Sequence, residues 1–266
     1  MEKIISSIRD EALTIQSLLL SLNQLDWKAE TLFKAWSPEI IVSHLLYFDR
    51  MTIYSLNDKD TFNREASFLF QAFSSEKNSL ERAKLVRDRM AINDQDSMIE
   101  AWMKSNHEMT KIFLSVNPEQ RCQWFGPDMN ARMFMIARYM ETWSHAQAIY
   151  DLMGQKRTYT DDIEHIVQIG VKTFKWTFRN RKLEVPEIFP YLELSSPSGG
   201  KWTYNDPNDE ESIKGKASDF CHVVTQNRNI KDTTLEVNGK ISEHWMSIAQ
   251  CFAGDPENPP KKGARN

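Results

Sequence analysis

The stretch NARMFMIARYMETWSHAQAIYDLM, residues 130–153, decides the fold. Its apolar residues recur at helical spacing, and Gly154 directly after it suits a helix C-terminus. Within it Glu141 and His145 stand four residues apart, so one helical turn stacks them on the same face. Arg138, three residues before Glu141, shares that face. A carboxylate and an imidazole at this spacing can grip one metal ion from a rigid backbone. An ordinary solvated or salt-bridged helix pair has the same spacing, so the rest of the chain has to supply a third ligand.

Working back towards the N-terminus, residues 2–23 predict an amphipathic helix whose apolar stripe runs from Ile4 through Ile8, Ile15 and Leu19 to Leu22. Ser37 and Pro38 mark a second helix start, as N-cap and first helical residue, with Trp36 before them as a hydrophobic staple. This helix extends to about Leu56 and carries His44, with Tyr47 and Phe48 one turn on and Asp49 just beyond. Residues 57–66 are polar and predict a connection, followed by apolar clusters and a charged helix from Asn78 to Met90. Asp94 or Asp96 can cap a further helix ending near Val116. Asn117 to Asp128, with Pro118, Gly126, Pro127 and the aromatic pair Trp124 and Phe125, predicts a loop. Four main helices without a convincing strand predict an antiparallel four-helix bundle over residues 1–155.

Towards the C-terminus the pattern changes. Asp161 to Arg179 predicts one helix. Tyr191–Ser195 and Lys201–Tyr204 alternate around the turn residues Ser196–Gly200, a hairpin signal, and Glu211–Lys216 and Thr234–Val237 are further strand candidates, the last ending at Asn238-Gly239. Ala217–Gln226 and Ile241–Phe252 predict helices, and the Pro- and charge-rich residues from about 254 predict a loose tail. Residues 156–266 therefore form a small α+β domain, and the whole chain is α+β.

Composition narrows the function. The 266 residues carry a net charge of -4, and 41% are hydrophobic and 26% charged. That profile gives no basic surface for nucleic acid, and no run approaches the ~18 apolar residues of a membrane span. The opening residues predict a helix broken by charges, not a secretory signal. Cys122, Cys221 and Cys251 are widely spaced and contain no CxxC, which points to neither a disulfide framework nor a cysteine zinc site, so the expected location is cytoplasmic. The partner implied is a small molecule, and a homodimer is compatible with the sequence, which fixes no oligomeric state.

Of six histidines, His44 is the best third ligand, because it sits mid-helix among apolar neighbours in the same bundle. His107 on the preceding helix is a substitute ligand or a surface residue, and His165, His222 and His244 in the second half read as structural. Arg138 has two readings, contact with an anionic substrate beside the ion, or pairing with Glu141 or another acid. Trp124, Phe125 and Trp143 can line a pocket or pack the core, with core packing favoured for Trp143 and for the run Met129, Met133, Met135 and Met140. No GxGxxG, P-loop, HExxH or GxSxG offers competing chemistry.

The motifs IVSHLLYFD (residues 41–49) and Arg138-x-x-Glu141-x-Trp143-x-His145 together resemble the mycothiol-dependent maleylpyruvate isomerase N-terminal family, within the DinB-like metal-binding bundles. The resemblance implies that His44, Glu141 and His145 bind a divalent ion, usually zinc, although iron and nickel accept the same ligands. The stretches ASDFCHVVTQNR (217–228) and WMSIAQCFAG (245–254) are similar to an actinobacterial-type subgroup of two-domain metal-binding proteins, with a wyosine-base-formation-like C-terminal region. Relatives in this superfamily use a low-molecular-weight thiol, which implies a metal-dependent transferase, isomerase or hydrolase acting through a metal-activated thiolate or water. Arg138 and Arg228 are then the candidates to contact an anionic group, Arg228 on the precedent of polar residues supplied by the C-terminal domain. A non-catalytic small-molecule-binding protein with a structural metal is the alternative.

Overall fold

A computed structural model describes residues 1–76, 78–125 and 128–265. The chain divides into two compact units, Met1–Met153 and Gly154–Asn266.

The first unit is built on four long helices, α1 (Glu2–Leu20), α3 (Pro38–Asn57), α6 (Gln95–Leu114) and α7 (Ala131–Leu152). α1 packs on α6 and α7, and α3 packs on the same two, so the four close a ring. Their starts are chemically set. Ser37 accepts from the Ile40 N–H ahead of Pro38, Asp94 from Ser97 and Asn130 from Met133. Ile15, Leu19, Ile41, Leu45, Trp102 and Ile149 fill the interior. α2 (Gln24–Lys28) joins α1 to α3. α4 (Lys59–Ser75) and α5 (Ser79–Met90) pack on α3 and on each other over a second core of Tyr47, Met51, Phe62, Leu69 and Val86.

Two expectations need correction here. Residues 59–66 are helical and not a connection. Asp58 caps α4 through the Thr61 N–H at 3.0 Å, and Phe62, Ala66 and Leu69 bury at helical spacing. The exposed Lys59, Asp60, Asn63 and Arg64 between them hide that stripe in the sequence. The segment before α7 is not strand-free either. Arg121–Cys122 (β1) pairs antiparallel with Met129–Asn130 (β2). Gly126 and Pro127, placed in that loop by the sequence, lie outside the described residues.

In the second unit the helix expected over Asp161–Arg179 is a 3-10 turn, Asp161–Ile163, then α8 (Glu164–Lys172) and α9 (Phe174–Asn180). The break falls at Thr173, whose hydroxyl donates back to the Ile169 and Gly170 carbonyls at 2.8 and 3.0 Å. β3 (Tyr191–Ser195), β4 (Lys201–Tyr204), β5 (Ser212–Lys216) and β6 (Glu236–Asn238) form one sheet in the order β4-β3-β5-β6. β3 pairs antiparallel with β4 but parallel with β5, with Leu192 opposite Ile213. α8 packs closely on α10 (Ala217–Val224). A Cβ on Gly170 would meet Phe220 at 2.9 Å, so only glycine allows that approach. α11 (Lys240–Ile248) follows β6 directly.

The tail is not loose. Gln226 Nε2 donates to the Ala249 and Glu257 carbonyls, Asn229 to the Pro260 carbonyl, and Gln250 to the Asp255 carbonyl. Arg265 reaches the Gln226 carbonyl at 2.9 Å. Gln226 and Gln250 are buried amides that need partners, and the tail backbone supplies them. No helix among the described residues is long and apolar enough to cross a membrane.

Candidate metal centre

α3 and α7 carry every donor of the site. His44 lies in the second turn of α3, and Glu141 and His145 lie mid-way along α7. α7 is buried on most sides by Phe134, Met135, Ile136, Tyr139, Met140 and Trp143, which leaves the polar Glu141–His145 pair facing α3. Glu141 Oε2 stands 3.2 Å from His145 Nε2 and 3.7 Å from His44 Nε2. One ligand atom from each of the three residues falls within 4.8 Å of the others. The side chains are 16% (His44), 26% (Glu141) and 11% (His145) exposed, so the cluster is sheltered but reachable.

The electrostatics suit a cation. Burial drives His44 down to about 4, with His145 adding to the fall and Glu141 opposing it. Burial also works against a charged Glu141, but hydrogen bonds from His145 and His44 outweigh it and hold the carboxyl well below its usual range. At neutral pH the cluster therefore offers an unprotonated imidazole and an ionised carboxylate, the forms that ligate. An ion about 2.0–2.1 Å from tetrahedral donors sets them about 3.3 Å apart, which the two Glu141 separations bracket. His145 Nδ1 is buried without a hydrogen-bond partner, unusual for a ring placed for hydrogen bonding alone. The donor set fits a divalent ion, which these three residues would hold with coordination positions to spare.

Aromatic rings surround the cluster. Trp36 stacks on His145 with centroids 5.4 Å apart and an interplanar angle of 8°, and Phe33 meets the same ring edge-on at 5.1 Å. Phe48 lies 4.6 Å from His44. Trp36, expected as a helix staple, is thus a wall of the site. Phe33 and Phe48 were not expected there. Phe48 follows His44 by four residues and shares its face, a signal present in the sequence, whereas Phe33 reaches the site from the segment before α3 and leaves none.

Arg138 takes the second of its two readings. Its side chain is 3% exposed and its guanidinium donates twice to Asp49 Oδ1, from Nε at 3.1 Å and Nη2 at 2.9 Å. Substrate contact is corrected to an ion pair, and the acid is Asp49, not Glu141. Asn106 on α6 donates to the other Asp49 oxygen at 3.4 Å. Arg228 belongs to the second unit, where its backbone N–H meets the His222 carbonyl at 3.2 Å and its Nη1 the Asn227 carbonyl at 3.0 Å. His107 is exposed and is not part of the cluster. His165 is buried, His244 is exposed beside Phe178, and His222 is buried with Nε2 2.8 Å from the Tyr159 hydroxyl. Trp143 is core, 1% exposed.

Residues 8–150 match the family described as Mycothiol maleylpyruvate isomerase N-terminal domain. The chain belongs to this family. Two uncharacterized proteins from strains of Mycobacterium tuberculosis are each 29% identical to it over 255 residues, 95% of this chain and 96% of theirs. Among solved structures, the mycothiol-dependent maleylpyruvate isomerase and a histidine mutant of it each align with a TM-score of 0.52 and 13% identity, over 84% of this chain and 87% of theirs. At that identity the likeness is one of fold, an α+β fold shared with this maleylpyruvate isomerase family member.

Proposed function

We propose that the chain is a metal-dependent enzyme of small-molecule metabolism, a thiol-dependent isomerase or transferase, with the ion held by His44, Glu141 and His145. The observation that carries this reading is the convergence of three ligand atoms from two helices within 4.8 Å. Zinc suits the two-imidazole, one-carboxylate set, and iron or nickel take the same donors. The ion would supply Lewis acidity that lowers the pKa of a small thiol or a water. Membership in a family named for a mycothiol-dependent isomerase supports a low-molecular-weight thiol as cosubstrate.

The chain's own residues prepare the site. Burial keeps His44 unprotonated, and the two imidazoles keep Glu141 ionised, so these two residues are in their ligating forms near neutral pH. Trp36 and Phe33 fix the His145 ring and limit water around it. The Arg138–Asp49 pair ties α7 to α3 one turn from the donors and holds His44 opposite Glu141. Arg138 is therefore a positioning residue.

Metal analysis of purified wild type against His145→Ala tests the site. Wild type carries about one divalent ion per chain and the variant carries none. Equal content in both overturns the assignment. Turnover assays pairing small thiols with electrophiles then test the reaction class.

A further inference from the structure

The metal cluster opens onto more aromatic surface than its own ligands need. From Phe48, 4.6 Å from His44, ring contacts continue to Trp124 at 6.0 Å and to Phe125 at 5.8 Å, and Trp124 and Phe125 pack at 4.8 Å. Phe125 in turn meets Phe70, which is 61% exposed. Phe33 borders the other side against His145. Phe48, Trp124 and Phe125 pack on the second core, with Trp124 4.6 Å from Phe134 and Phe125 5.4 Å from Phe62, and like Phe33 they remain partly exposed. Contiguous apolar surface left open beside a polar cluster marks a ligand wall more than a packing remnant.

The charge around the cluster narrows what lies on that wall. A divalent ion with one carboxylate ligand keeps one net positive charge, enough to draw an anionic head group. The guanidinium nearest in sequence is occupied, because Arg138 is buried against Asp49. Recognition of a head group falls to the ion, and the rings are left to recognise the body. Ring edges and faces favour flat apolar groups over hydrated ones.

We infer that the molecule held at this centre carries a flat apolar, aryl-type group close to its metal-ligating atom, seated on Phe48, Trp124 and Phe125. This inference rests on the metal-centre reading above and adds a substrate class to it. Trp124 and Phe125 are its specificity-determining residues.

The test uses the full chain loaded with cobalt(II), whose absorption reports both the ion and sulfur ligation. Phenylmethanethiol and 2-mercaptoethanol, thiols of similar acidity, are titrated separately and dissociation constants are read from the charge-transfer band. The aryl thiol binds about tenfold tighter or more, the scale of one good set of ring contacts. Trp124→Leu reduces that preference to about threefold or less and leaves cobalt content unchanged, and Trp124→Phe restores most of it. Phe125→Leu gives a second reading should Trp124→Leu melt early. Equal affinity for the two thiols, or a preference that survives both leucine variants, overturns the inference while the metal centre stands. Absence of any cobalt spectrum overturns the metal centre and this inference with it.

Discussion

Two polar clusters bridge α3 and α7 about one turn apart, and they solve opposite problems. Arg138 and Asp49 are 3% and 0% exposed, opposite in charge and hydrogen-bonded to one another, so each satisfies its partner. His44, Glu141 and His145 are 16%, 26% and 11% exposed and bring two imidazoles and one carboxylate together, each able to offer a lone pair to one point. Burial of the first pair costs desolvation that the pairing offsets. In the second cluster the imidazoles hold Glu141 ionised, and the ligand atoms of all three residues still converge on one point, as a bound cation would require. Converging lone pairs, more clearly than burial, distinguish the candidate metal site from the buried ion pair.

The contrast can be broken most sharply at Asp49. Asp49→Ala strands a buried guanidinium and lowers stability by about 3–5 kcal/mol in urea denaturation of metal-free protein. The double substitution Arg138→Met with Asp49→Leu recovers most of that loss. A single variant costing under about 1 kcal/mol would show that the pair is not the structural one. The next largest effect falls on binding. Glu141→Gln keeps the side-chain shape but weakens metal affinity more than about a hundredfold, since even outer partners of ligands cost ten- to hundredfold. Metal-free stability at neutral pH also falls, because the amide cannot replace the charged carboxylate that His44 and His145 hold ionised. A variant that loads metal like wild type would move the carboxylate out of the ligand set.

A third difference is in pH. His44 is depressed to about 4 in the folded, metal-free protein, against about 6.5 in an unfolded chain. The unfolded chain therefore takes up this proton first as pH falls. The contribution of neutral His44 is complete above about pH 6.5 and is lost progressively towards 4, by about 2 kcal/mol between pH 6.5 and 4.5. Glu141, held low, acts in the same sense in acid, contributing above the ordinary carboxylate range and losing that contribution below it. His44→Gln flattens the upper part of the slope, measured as urea midpoints at each pH. Parallel slopes in the two proteins would contradict the burial account. The smallest effect is at Asn106, whose bond to Asp49 is 3.4 Å long. Asn106→Ala costs about 1 kcal/mol or less, and a larger loss would make the closed cluster a triad instead of a pair.

Much of the bundle was readable because helix starts are local. Ser37-Pro38 and Asp94 announce themselves through residue type, and the structure shows them as caps. The start of α4 is hidden because its first two buried positions, Phe62 and Ala66, are outnumbered by polar neighbours. The split between α8 and α9 was missed because Thr173 breaks the helix through a side-chain bond that leaves the apolar period intact. The tail looked loose from its prolines and charges, yet buried amides at Gln226 and Gln250 hold it, and their need for partners becomes visible only once they are buried.

At the site the same division holds. The sequence by itself determined the Glu141–His145 pair, since four-residue spacing on a helix leaves one geometry. It also offered His44 as a donor type on a second helix of the bundle. Tertiary structure alone decided that His44 faces Glu141, that Arg138 is spent on Asp49, and that Phe33, Trp36 and Phe48 wall the cluster. The helix period encodes neighbours within a turn or two. Partners as distant in sequence as Asp49 and Arg138 meet only when bundle packing sets the register of one helix against another, and no local pattern carries that register.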